Sequence, residues 1–188
     1  MFEAEIKYVA ASADELPGGH LPEVVSRDVY FDSPDGVFYA SGQELRLRTV
    51  DDRTLLTYKR PPFDAATASK EEVETVVADA DAMPGILAAL GFVPRVAFAK
   101  RCRRTREDFQ GHVLEIAIVT VDFSPDVFVE IEHLAQTHAA ALTALPVIRA
   151  RAAGLGLTRE CQDSYTDLAL AAGPGGGPEP ATEGAPRP

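Results

Sequence analysis

Phe2-Glu3-Ala4-Glu5-Ile6-Lys7-Tyr8 is the stretch that sets the reading of the whole chain. Side chains alternate across an extended strand. Glu3, Glu5 and Lys7 therefore share one face, and Phe2, Ala4, Ile6 and Tyr8 share the other. The pattern recurs four times. Arg46 and Arg48 alternate with Leu45 and Leu47, and Thr57 and Lys59 with Leu56 and Tyr58. Glu72 and Glu74 alternate with Val73 and Thr75, and Glu130 and Glu132 with Val129 and Ile131. Any one such face fits the wet side of an ordinary antiparallel sheet. The set as a whole does more. Arg-x-Arg offers two planar forks about 7 Å apart along a strand, suited to a polyanion. Glu-x-Glu offers carboxylates at the same spacing, suited to a hard divalent cation. Together they fit a metal–phosphate complex.

Outward from this stretch the sequence predicts strands over Phe2–Val9, Arg27–Asp32, Glu44–Val50, Thr54–Lys59 and Lys70–Val77. Further strands are predicted over Val96–Arg106, His112–Val121 and Val127–His133, the first two joined by a turn at Gln110-Gly111. Pro17-Gly18-Gly19 and Ser33-Pro34-Asp35-Gly36 are turn signals, and Arg60–Ser69 is a loop. Asp79–Leu90 reads as a helix with Ile86, Leu87 and Leu90 on one face and Gly91 as its stop. Ala135–Leu155 reads as helical, with Pro146 expected to break or restart it. A last helix, Gln162–Ala172, is amphipathic through Tyr165, Leu168 and Leu170. From Gly173 onward ten of sixteen residues are Gly or Pro, so 173–188 is expected to be a disordered tail after one domain over 1–172.

Composition limits the functional classes. The 188 residues suffice for one domain with a real core, and 46% hydrophobic and 25% charged residues are normal for a globular protein. A net charge of −11 argues against nucleic acid or an anionic membrane as partner. Two cysteines, Cys102 and Cys161, build neither a disulfide framework nor a zinc site. The four histidines show no metal-ligand spacing. No apolar run is long enough for a membrane span, and the charged strand at residue 3 leaves no room for a signal peptide. The expected compartment is the cytoplasm. In the basic run 100–106, strand parity puts Lys100, Arg104 and Arg106 on the face of Cys102, with Arg101 and Arg103 opposite.

The ordered motifs resemble the CYTH superfamily of class IV adenylate cyclases and thiamine triphosphatases, also called triphosphate tunnel metalloenzymes. Glu3-Ala4-Glu5-Ile6-Lys7 stands for the family's N-terminal signature, followed by Asp28–Pro34, Ser41–Arg48, Thr57-Tyr58-Lys59, Ser69–Glu74 and Phe128–Glu132. The resemblance covers roughly residues 2–170. It implies an α+β fold: an eight-stranded antiparallel β-barrel with flanking helices, around an open-ended tunnel lined by the charges. By resemblance, Glu3, Glu5, Glu130 and Glu132 hold Mg²⁺ or Mn²⁺. Lys7, Arg46, Arg48, Lys59, Lys100 and Arg104 bind the triphosphate, and Glu72 and Glu74 line the tunnel. Glu5 and Lys7 are the expected catalytic pair.

Two departures stand out. The aspartate many members carry before the late Glu-x-Glu is Val119 here, with Asp122 nearby at the opposite parity. The Lys-x-Arg pair reads Lys100-Arg101-Cys102, which moves the arginine's duty to Arg103 or Arg104. The implied substrate is inorganic triphosphate, thiamine triphosphate or ATP. The implied reaction is hydrolysis of the terminal phosphate, with cyclisation of ATP to cyclic AMP and noncatalytic nucleotide binding as alternatives. The resemblance also permits a homodimer.

Overall fold

The computed structural model describes residues 1–64 and 66–173, so the tail expectation for 174–188 lies outside the described residues. The strands are β1 (Phe2–Ala10), β2 (Val24–Asp32), β3 (Glu44–Val50), β4 (Arg53–Lys59), β5 (Lys70–Val77), β6 (Val93–Phe109), β7 (His112–Val121) and β8 (Ser124–Ala135). They close into an antiparallel barrel in the order β1-β5-β4-β3-β2-β6-β7-β8. The narrowest seam is β1–β5, with Phe2↔Glu71 and Glu3↔Lys70 as its registered pairs. Ser69 ties it further, its hydroxyl accepting from the Glu5 amide at 3.0 Å.

Alternation sorts the side chains as expected, and the apolar set faces outward, as the tunnel lined by charges requires. Ala4, Ile6 and Tyr8 of β1 join Leu114, Ile116 and Ile118 of β7 and Val129 and Ile131 of β8. Helix α3 (His138–Gly154) covers them with Ala141, Ala144, Leu145, Ile148 and Ala152. A second outer cluster, Phe31, Leu45, Leu47 and Val77, lies under α2 (Ala82–Ala89). Burying both sets against helices frees the inward face for charge.

The structure corrects several local expectations. α3 runs through Pro146 without a break. Pro146 lies on the exposed side, where water can satisfy the carbonyl it leaves free, while Ala144, Leu145 and Ile148 hold the opposite side on the barrel. α2 is shorter than predicted and buries Leu87 alone of its three apolar residues; Ile86 and Leu90 are exposed. β2, β6 and β8 extend beyond their predicted ends because ladder pairing continues there: Val24 pairs with Cys102, and Phe109 with His112. After the Ser33–Gly36 turn a short helix, α1 (Val37–Ala40), forms around the buried Asp32 carboxylate, which accepts from the Phe38 and Tyr39 amides at 2.9 Å each. The last helix, α4 (Tyr165–Ala172), buries Tyr165, Thr166 and Ala169, while Leu170 faces outward. A capping box between Ser164 and Asp167 sets its start.

α4 also corrects the expectation of a tunnel open at both ends. Tyr165 and Ala169 join Tyr30, Phe98, Cys102, Val119 and Phe128 in an apolar cluster. Phe128 and Tyr165 meet edge to face with ring centroids 5.4 Å apart. The inward parity of Phe98, Cys102 and Phe128, shared with Lys100 and Glu130, puts this cluster inside one end of the barrel.

Candidate active site

Beyond the apolar cluster, the interior is a charged cavity of about 320 Å³. All the expected site residues line it: Glu3, Glu5, Lys7, Arg46, Arg48, Lys59, Glu72, Glu74, Lys100, Arg104, Glu130 and Glu132. Register explains how they converge. Glu5 stands opposite Glu132 and Lys7 opposite Glu130 across β1–β8. Lys59 stands opposite Glu72 across β4–β5. Like charges directly opposite one another destabilise a sheet, so the Glu5–Glu132 pair is a local cost that points to function.

The carboxylates fall into two groups. Glu3, Glu5 and Glu132 each offer an oxygen, and these lie within 4.8 Å of one another. Glu130 is drawn away: Lys100 Nζ donates to both its oxygens, at 2.8 and 2.9 Å. Their proton affinities diverge accordingly. Burial pushes the Glu5 carboxyl up to about 7, helped by repulsion from Glu130 and Glu3. Burial, with Glu3 and Glu5 nearby, pushes Glu132 up to about 9. Burial opposes ionisation of Glu3 as well, but the Lys59 ammonium overrides it and holds Glu3 below the usual carboxylate range. Burial of Glu130 is likewise outweighed by Lys100, which brings it to about 2. Three hard oxygens crowded together, two of them pushed toward the protonated form by burial and then by mutual repulsion, form a donor set that fits a divalent cation.

The cations are held by partners with different reserves. Lys59 Nζ bridges Glu3 at 2.5 Å and Glu72 at 2.8 Å. Arg48 grips the fully buried Asp28 with both arms, at 2.8 and 2.5 Å. Lys7 Nζ donates to the Asp163 carbonyl and sits 4.3 Å from the Tyr165 ring centroid; Lys100 Nζ sits 4.6 Å from the same centroid. Arg46 has an Nη2 bond to Thr57 Oγ1 at 3.3 Å, while its buried Nε has no hydrogen-bond partner. A buried guanidinium N–H without an acceptor is costly and suits an incoming oxyanion. Arg104 lines the cavity and meets Glu115 at 3.0 Å, whereas Arg103 turns to Glu23. The sequence left the choice between Arg103 and Arg104 open; in the structure it is Arg104 that lines the cavity.

Sequence reasoning missed Glu44 and Lys70, which pair at 2.6 Å and line the cavity. Their parity signals were present: Glu44 shares a face with Arg46, and Lys70 with Glu72. Asp28 and Tyr30 carry the same kind of signal opposite Arg48 and Arg46. Tyr165 and Ser164 arrive from a helix and its cap and left no trace in strand periodicity.

A model of the CYTH domain matches residues 1–162. The chain belongs to the CYTH domain family. This CYTH domain is 29% identical over 141 residues to "Putative adenylate cyclase MJ0240" of Methanocaldococcus jannaschii, a match over 70% of this chain and 77% of that protein. Its fold is similar to that of the PH1819 protein of Pyrococcus horikoshii OT3, with TM-score 0.76 and 22% identity over 90% of this chain and 98% of that one. It is also similar in fold to "Putative adenylyl cyclase HpAC1" from Hippeastrum, described with a dominant triphosphatase activity. The TM-score there is 0.63 at 18% identity, covering 90% of this chain and 95% of that one. No described helix of this CYTH domain is long and apolar enough to cross a membrane.

Proposed function

We propose that this CYTH domain hydrolyses the terminal phosphate of a triphosphate with the help of Mg²⁺ or Mn²⁺. One observation carries the reading: a closed barrel confines seven cationic side chains and a three-carboxylate cluster in one cavity. Confined charges of both signs match a polyanion bound together with a divalent ion. Glu3, Glu5 and Glu132 are the residues to hold the ion. A bound ion supplies charge neutralisation at the phosphoryl oxygens. Arg46, with its free Nε, and Arg48, fixed by Asp28, bind phosphate oxygens in place. Lys7, Lys59, Lys100 and Arg104 add charge from the other walls. Glu5 orients the attacking water and accepts its proton at the carboxylate. Tyr165 and the apolar cluster behind it keep bulk water out of one end.

Cyclisation of ATP is the second reading, supported by the name of the Methanocaldococcus jannaschii relative. Hydrolysis is favoured because Val119 is fully buried in the apolar cluster, so that position supplies no additional acid. Incubation with ATP or inorganic triphosphate plus Mg²⁺ or Mn²⁺, followed by product analysis, tests the assignment. Orthophosphate supports hydrolysis. Cyclic AMP with pyrophosphate would replace it with cyclisation, and intact substrate would leave a binding module. Excess chelator should abolish turnover, and full activity in chelator would overturn the metal assignment.

A further inference from the structure

The spacing of the histidines along the chain shows no metal motif, yet the fold brings two of them together. His112 opens β7, and His133 lies near the end of β8. Both have the parity of outward residues, His112 with Leu114 and Ile116 and His133 with Ile131, so their rings stand on the outer wall, away from the charged cavity. The ring centroids are 5.1 Å apart. His138 packs instead against Phe63 and Phe2, with ring centroids 4.8 and 5.9 Å away. The backbone orients both rings of the pair. His112 Nδ1 donates to the Gln110 carbonyl at 3.2 Å, and His133 Nδ1 to the Val113 carbonyl at 3.0 Å. A carbonyl oxygen can only accept, so Nδ1 carries the proton and Nε2 of the neutral ring keeps its lone pair. Metal-binding histidines ordinarily have this support on their second nitrogen, and it fixes the tautomer a cation needs.

Two imidazoles bound to one ion through nitrogen at about 2.0 Å, at a tetrahedral angle, have centroids roughly 5 Å apart. The separation of His112 and His133 matches this value. Their planes meet at 70°, an angle that ligation leaves open because each ring can turn about its metal–nitrogen bond. We propose that His112 and His133 form a second cation site, for Zn²⁺ or an ion of similar softness, with water completing the shell. Donor chemistry separates this site from the cavity. Imidazole nitrogen suits zinc, copper and nickel, whereas the carboxylate oxygens of Glu3, Glu5 and Glu132 suit Mg²⁺ or Mn²⁺. A bound ion ties the start of β7, just past the Gln110-Gly111 reversal, to β8, so binding stabilises that end of the barrel.

The test is a Zn²⁺ titration of the full chain, with excess Mg²⁺ present to compete for the oxygen donors of the cavity. It is read by the histidine ring signals in NMR and by thermal shift. In the parent protein the ring signals of His112 and His133 should respond together and saturate at about one ion per chain, while His20 stays unmoved. Melting temperature should rise by a few degrees. His112→Ala and His133→Ala alter half-buried positions on the outer wall, so each variant should melt near the parent without zinc. Each should need at least about tenfold more Zn²⁺ for the same thermal shift, because one imidazole cannot chelate. The proposal is overturned if Zn²⁺ leaves the two ring signals of the parent unmoved, or if the thermal shift persists at parent concentrations in either variant. It is also overturned if His20 responds at the same concentration as the pair, as scattered surface binding would produce. The ring signals are read on the parent, so that arm of the test holds whether or not the variants fold.

Discussion

Lys100 lies two positions beyond Phe98 on β6, and Glu130 two positions beyond Phe128 on β8. On both strands the inward face changes, within that step, from an ion pair to an aromatic cluster under Tyr165. The charged layer keeps Glu5 opposite Glu132 at a cost, whereas the apolar layer stacks Tyr30 on Phe98 at 5.5 Å and Phe98 against Phe123 at 5.0 Å. The difference teaches that one barrel face divides its labour by depth. Strain is concentrated where chemistry is expected, and packing that offsets it lies immediately behind. Lys7 and Lys100 join the layers, each paired with an oxygen on one side and resting on the Tyr165 ring on the other.

That contrast breaks most visibly at Glu5. Glu5→Gln removes a ligand oxygen's charge and the proton acceptor together, and turnover should fall by about a thousandfold. Melting temperature without metal should hold or rise, because one repelling charge is gone. A variant that retains turnover would remove Glu5 from the chemistry. In the apolar layer the signs reverse. Phe98→Ala should cost about 3–5 kcal/mol of stability by urea unfolding, since it empties a fully packed site. Activity per folded molecule should change far less than in Glu5→Gln. Equal loss of activity at both sites would mean that the layers are not separate.

Arg48→Lys lies between the two. Lysine keeps the charge but cannot reproduce the two-armed grip on buried Asp28. Triphosphate affinity should drop by about tenfold, together with a loss of roughly 1–3 kcal/mol of stability from the weakened Asp28 bonding. A calorimetric titration showing parent-like affinity would place Arg48 outside the binding set.

The smallest effect is the pH dependence of the metal-free protein. Glu5 and Glu132 have folded pKa values raised to about 7 and about 9. Between the ordinary carboxylate range and those values the unfolded chain has released protons that the folded chain still binds. Stability therefore falls as pH rises through that window. Asp28 and Glu130 are held low, so their contribution is lost only on acidification, outside it. Melting temperature measured between about pH 5.5 and 9 should decline by a few degrees, and Glu132→Gln should flatten the slope. Added Mg²⁺ should oppose the decline by compensating the released charge. A slope unchanged in Glu132→Gln would show that the repulsion arises elsewhere.

How much of this was legible in the sequence depends on the kind of signal each residue left. Period-two alternation assigned Glu3, Glu5, Lys7, Arg46, Arg48 and the later pairs to one face, because a strand allows side chains only two directions. The same rule put Arg103 and Arg104 on opposite faces, but only the structure decided that Arg104 lines the cavity. Ordered motifs carried the family and the barrel, and turn chemistry placed the β6–β7 reversal at Gln110-Gly111, where both residues adopt positive φ. Alternation is silent on which face is wet. Only the closing of β1 on β8 and β5, with α3 and α2 spread over the apolar side, put the charges inside. Proline's reputation as a helix breaker failed at Pro146, since local propensity yields to packing on the opposite side. Tertiary structure alone decided that Glu130 serves Lys100 while Glu3, Glu5 and Glu132 cluster, and that Tyr165 closes one end. Those outcomes depend on distances of a few ångströms between residues far apart in the chain, which no local periodicity encodes.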